Sequence, residues 1–167
     1  RLAALRSGKI DLLLITGGGA IRKLDTIKSL QRTNPEIQVE PFFGSNSNAP
    51  TMNRRNPPLD DIRVRQAMQM ALDLETINEA YLGGFARWEP MGLIGDVKGF
   101  YVPFEEWPEE LKKTYRYDPE GAEALLDAAG YPRGADGVRF KVTYCHRDSM
   151  DLGYVEITAG YWDAIGV

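Results

Sequence analysis

Apolar residues recur along this chain with two spacings, one predicting helices and the other strands. A short helix is predicted over residues 2–7, closed by Gly8, followed by a strand of mostly branched apolar residues over 10–15. After the glycine run at 17–19, Ile21, Leu24, Ile27 and Leu30 fall three apart. They predict an amphipathic helix ending near Asn34-Pro35, and a second strand follows over 37–43. This α-β-α-β order favours an α/β fold in which a mixed sheet is flanked by helices.

The pattern then breaks. Residues 44–50 are small, polar or ring-locked and offer nothing to anchor a core, so they read as a crossover between two structural units. Asn56-Pro57-Pro58 enforces extended backbone, and Asp60-Asp61 can accept hydrogen bonds from the free N–H groups of a helix starting there. The predicted buried face of that helix is Ile62, Val64, Ala67, Met68, Ala71 and Leu72, with Asp61 and Arg65 paired one turn apart on the surface. A second helix is expected over 75–82, stopped by Gly83-Gly84. From there to Tyr117 no period of either kind persists, yet more than half of the chain's aromatics lie in or at the edge of this stretch. A long irregular segment this apolar either covers a core or is shaped around a ligand.

The best-written element is the next one. Asp118 reads as an N-cap, Pro119 takes the first helical position, and Glu120 meets the positive end of the helix dipole. Ala122, Leu125, Leu126 and Ala129 form the apolar stripe, and Gly130 can take the left-handed conformation that ends the helix before Pro132. A strand over 140–145 and a last helix from about Asp151, with Leu152, Val155, Ala159 and Trp162 on one face, complete the pattern.

Composition narrows the function classes. With 43% hydrophobic and 26% charged residues, the 167-residue chain is of globular type, and its net charge of −4 supplies no basic field for nucleic acid. The longest apolar run, 12–15, is far short of the roughly 20 residues a membrane span needs. One cysteine, Cys145, and one histidine, His146, are too few for an internal disulfide or a thiolate or histidine metal cluster. No metal or cofactor is therefore expected.

Three blocks resemble the extracellular solute-binding proteins of ABC importers, family 5, which carry oligopeptides, dipeptides, nickel and related cargo. Leu5-Arg6-Ser7-Gly8-Lys9-Ile10-Asp11 is similar to the family's LxxGxID block. The stretch from Asn56-Pro57-Pro58 through Arg63-Val64-Arg65-Gln66-Ala67 to Ala71-Leu72-Asp73 resembles its PPFxDxRVRQAxxxAID signature, with Leu59 at the usual aromatic position. The stretch from Tyr117-Asp118-Pro119 to Ala129-Gly130-Tyr131 resembles its YDPxxAxxLLxEAGY helix. The resemblance implies a type II periplasmic-binding-protein fold of two lobes that close on a ligand, of which this chain is a piece. Residues 1–43 would belong to the N-terminal lobe, 44–50 to the crossover or hinge, and 51–167 to the first part of the C-terminal lobe. It further implies a periplasmic or extracellular protein, lipid-anchored or secreted, whose partners are a small-molecule or peptide ligand and a membrane permease. A face that would otherwise meet the other lobe makes self-association of the piece an expectation.

The candidate ligand-binding residues are Phe85, Arg87, Trp88 and Met91, matched to the family's loop after its G-x-A turn, together with Asn46 and Asn48 from the crossover. Against this stands a simpler role: aromatics packing over a core and asparagines serving turns. The run Cys145-His146-Arg147-Asp148 fails as a nucleophile-base pair, because neighbours on a strand face opposite ways. Gly17-Gly18-Gly19 lacks the lysine and hydroxyl residue of a phosphate loop. Arg54-Arg55 reads as a solvated pair rather than an anion site. A binding protein with no catalytic residue is thus the leading reading, and a hydrolase or transferase with its catalytic groups outside this sequence is the alternative.

Overall fold

The computed structural model describes residues 1–13, 24–40, 50–84, 86–90, 99, 101–146 and 152–167. Helices dominate them: α1 (Leu2–Arg6), α2 (Leu24–Thr33), α3 (Ile62–Met70), α4 (Leu74–Thr76) running into a π-helical turn (Ile77–Tyr81), a 3-10 turn (Phe104–Glu106), α5 (Glu109–Lys113), α6 (Pro119–Ala128) and α7 (Leu152–Ala164). None is long and apolar enough to cross a membrane.

The core is built where α3 packs on α6. Val64, Ala67, Met68, Met70, Ala71 and Leu72 meet Ala122 and Leu126, and Trp162 and Ile165 close the group from the end of α7. The indole N–H of Trp162 donates to the Met68 carbonyl at 2.9 Å inside this core, so α7 is tied to α3 by a directed bond as well as by packing.

Local sequence sets the ends of α3 and α6. The Asp61 carboxylate accepts the Arg63 N–H at 2.8 Å, and the Asp118 carboxylate accepts the Gly121 N–H at 2.8 Å. At the other end of α6, Gly130 donates to Asp127 and Tyr131 donates to Leu126, at 3.0 and 2.9 Å, with Gly130 at φ 91°. This is the paired closing bond that a left-handed glycine permits.

Two predicted faces need correction. Ile62 is 58% exposed and Met70 takes a buried place on α3, because the helix meets α6 one step around from the predicted stripe. On α7, Leu152 and Ala159 are exposed while Thr158, Trp162 and the following Ile165 are buried. The Asp61 to Arg65 pair is also replaced: Arg63 binds Asp61 at 2.6 Å, and Arg65 instead donates to the carbonyls of Leu59 and Asp60. The Arg63 side chain holds the Asp61 carboxyl below the usual carboxylate range, with the Arg63 N–H adding to the effect.

The expected strands do not appear as paired ladders among the described residues. Residues 10–13 and 37–40 are irregular, and the rest of those two segments lies outside the described set, as do the glycines at 17–19 and positions 44–49 of the crossover. Over 140–145 the alternation itself is present: Phe140, Val142 and Tyr144 pack against the core while Lys141, Thr143 and Cys145 are exposed. An extended segment becomes a strand only when a neighbour supplies its N–H and C=O partners; among the described residues such a bond is made just before this segment, from Arg139 N–H to Gly166 C=O at 2.8 Å.

An ion-pair group locks this region to α6. The Arg139 side chain, 2% exposed, donates to Ile165 C=O (2.9 Å), Tyr131 C=O (2.7 Å), Glu123 (2.9 Å) and Asp127. Arg133 holds the other Glu123 oxygen at 3.0 Å and the Ala164 carbonyl at 2.7 Å. Hydrogen bonds from Arg133, then Arg139, draw the Glu123 carboxyl down to about 2.

Candidate ligand-binding site

The site begins at the π-helical turn. Asp73 caps α4 by accepting the Thr76 N–H at 3.0 Å, and the helix then widens over Ile77–Tyr81, a local distortion often found at functional positions. Asn78 gathers the chain that follows. Its carbonyl accepts from Leu82 at 3.1 Å and Gly84 at 2.9 Å, and its side-chain oxygen accepts the Ala86 N–H at 3.0 Å. Gly83 and Gly84, at φ 66° and 76°, make the reversal sterically allowed. The result lays 86–89 back across Asn78.

Opposite this turn lies an aromatic group centred on buried Phe104. Trp88, Trp107 and Tyr115 each meet its ring edge to face, with centroids 5.9, 5.6 and 6.3 Å away. The Trp107 N–H is satisfied by the Val102 carbonyl at 2.9 Å. Such contacts hold rings at fixed angles and add to their burial energy.

Beside them is a cavity of about 450 Å3, lined by Asn78, Ala86, Arg87, Trp88, Glu89, Tyr101 and Glu105. Its chemistry is mixed: one guanidinium, two carboxylates, a carboxamide and two aromatic rings. Groups of this kind orient a bound molecule by polar contacts while rings cover its apolar parts.

Of the sequence-predicted contacts, Arg87 and Trp88 both line this cavity. Trp88 also packs on Phe104, so one side chain both lines the cavity and belongs to the aromatic group. Phe85, Met91, Asn46 and Asn48 lie outside the described residues. Asn78, Glu89, Tyr101 and Glu105 were not singled out by sequence; the nearest signal was an asparagine within the helix that Gly83-Gly84 terminates. Cys145 and His146 are exposed, and among the described residues no group of three His, Cys, Asp or Glu could hold a metal ion.

Residues 1–167 match the family described as bacterial extracellular solute-binding proteins, family 5 Middle. The chain belongs to this family. Membership places it among extracellular and periplasmic solute-binding proteins, a family of binding proteins rather than enzymes. Among its relatives, heme-binding protein A of Haemophilus influenzae is 30% identical over 134 residues, covering 80% of this chain and 22% of that protein. The nickel-binding periplasmic protein of Escherichia coli is 24% identical across 99% of the chain and 31% of its own length. A glutathione-binding protein of Pectobacterium atrosepticum is 31% identical over 84 residues, 50% of the chain and 15% of that relative. The chain thus spans less than a third of the length of these relatives. No solved structure matches it.

Proposed function

We propose that the complete protein is the solute-binding component of an ABC import system, capturing a peptide or peptide-like solute between two lobes and delivering it to a membrane permease. Residues 1–43 belong to the N-terminal lobe, 44–50 to the crossover and 51–167 to the C-terminal lobe in this reading. The observation that carries it is the cavity's mixed lining in a chain matched over its whole length by a solute-binding family. A guanidinium suits a carboxylate, and carboxylates suit an ammonium, so Arg87 with Glu89 and Glu105 complements a zwitterion. Trp88 and Tyr101 suit the apolar part of the same molecule. The glutathione-binding relative supports a peptide-like cargo. Phe85, Met91, Asn46 and Asn48 are further contacts in this proposal.

Calorimetry of the full-length protein against peptide mixtures tests the reading. Stoichiometric binding without turnover is expected, and Trp88→Ala should weaken affinity about tenfold or more. Product formation would overturn it, as would unchanged affinity in a Trp88→Ala variant whose melting temperature has fallen. The isolated 167-residue chain is expected to bind weakly or not detectably, since it supplies one part of the cleft.

A further inference from the structure

A second cavity, of about 490 Å3, lies away from the aromatic group and is lined by Met52, Asn53, Arg54, Arg55, Asp60 and Arg65. Its two consecutive arginines sit on a tight turn. The Asn53 side chain accepts the Arg55 N–H at 3.1 Å, and the Asn53 carbonyl accepts the Asn56 N–H at 3.4 Å. Arg65 enters from α3, where its Nη1 donates to the carbonyls of Leu59 at 2.8 Å and Asp60 at 2.9 Å. Those two bonds fix its head group while leaving Nε and Nη2 without a hydrogen-bond partner among the described residues. The side chains of Arg54 and Arg55 likewise make no ion pair there.

The neighbouring carboxylates offset this group only in part. Asp60 lines the cavity with a single negative charge, and Asp61, paired with Arg63 at 2.6 Å, also attracts Arg65. Three guanidinium groups therefore line a cavity with one carboxylate, a local positive excess in a chain whose net charge is −4. Guanidinium groups engage carboxylate and phosphate oxygens through paired N–H donors, and an arginine already held by backbone carbonyls loses less freedom on binding.

We propose that this cavity is an oxyanion site, taking a phosphate or carboxylate group. The same chemistry is offered by a free small anion and by the headgroup of an anionic lipid, and the experiment separates the two. The full-length protein is titrated calorimetrically with inorganic phosphate and with citrate, and sedimented with phosphatidylglycerol or phosphatidylcholine vesicles. Arg54→Gln/Arg55→Gln removes two charges from the cavity without touching the anchored Arg65. Lys113→Gln/Arg116→Gln removes the same charge at and just beyond the end of α5. Saturable binding of either small anion, or sedimentation with phosphatidylglycerol alone, is expected to fall about tenfold or more in the first variant and to persist in the second. Binding by neither probe, equal binding by the first variant, or an equal loss in both variants overturns the proposal.

Discussion

Arg139→Leu is expected to be among the most damaging single substitutions in this chain, and the structure says why. The Arg139 side chain is 2% exposed and serves four acceptors: Ile165 C=O at 2.9 Å, Tyr131 C=O at 2.7 Å, Glu123 at 2.9 Å and Asp127. The carboxylates contribute little to the loss. Asp127 is 58% exposed, and Glu123 keeps Arg133 at 3.0 Å, so solvent and the second arginine replace most of what Arg139 supplied. The carbonyls decide the magnitude. Ile165 is almost wholly buried, and an acceptor left unsatisfied in such surroundings costs about 1–3 kcal/mol. With the Ile165 carbonyl orphaned, the half-buried Tyr131 carbonyl regaining part of its loss from water, and Leu unable to fill the guanidinium's place fully, the loss should be about 2–4 kcal/mol. Arg133→Leu, at a side chain 35% exposed, should cost about 1 kcal/mol. Urea unfolding followed by circular dichroism compares the two through their midpoints. If Arg139→Leu costs no more than Arg133→Leu, the buried carbonyls are not what Arg139 secures, and the reasoning fails.

Other outcomes follow from the same contacts. Glu123 has its carboxyl drawn from 4.5 to about 2, so the stability it adds is present above about 4.5 and fades as pH falls toward 2; Glu123→Gln should flatten the urea midpoint across that interval. At Gly121, an added Cβ would overlap the free Oδ2 of the capping Asp118 carboxylate and lie 3.0 Å from Met70 Cε, so Gly121→Ala should disturb the cap and lower the melting temperature despite alanine's helix preference. Trp162→Phe keeps most of the ring but orphans the buried Met68 carbonyl, and should cost about 1–3 kcal/mol by the same unfolding assay.

How far the sequence disclosed this structure depends on how local each determinant is. The limits of α6 were legible because Asp118, Pro119 and Gly130 act on neighbouring N–H and C=O groups, and the Asp61 cap of α3 was legible for the same reason. Which apolar residues face inward was less so. Ile62 and Leu152 look like core residues by spacing, but the helix meeting each face is fixed by packing between segments distant in sequence. The helix Glu109–Lys113 escaped notice because its one apolar residue, Leu111, is exposed, leaving no period to detect; its signals were charges alone, acidic in the first turn and basic in the last. Over 140–145 the sequence set the alternation of faces, whereas ladder partners must come from elsewhere in the chain. The candidate site divides the same way. Arg87 and Trp88 were reached through the resemblance, in the aromatic-rich segment after the Gly84-Phe85-Ala86 turn, but Asn78 and Glu105 join them only through the Gly83-Gly84 reversal and the packing of Trp88 on Phe104.

The most direct test of the ligand-binding account is a crystal structure of the full-length protein with the solute it retains on purification. The account predicts an intact molecule held between two lobes, in contact with Trp88 and within hydrogen-bond reach of Arg87 or Glu105. A ligand seated elsewhere while the cavity beside Trp88 holds only solvent, or a cleaved product in the cleft, would contradict it.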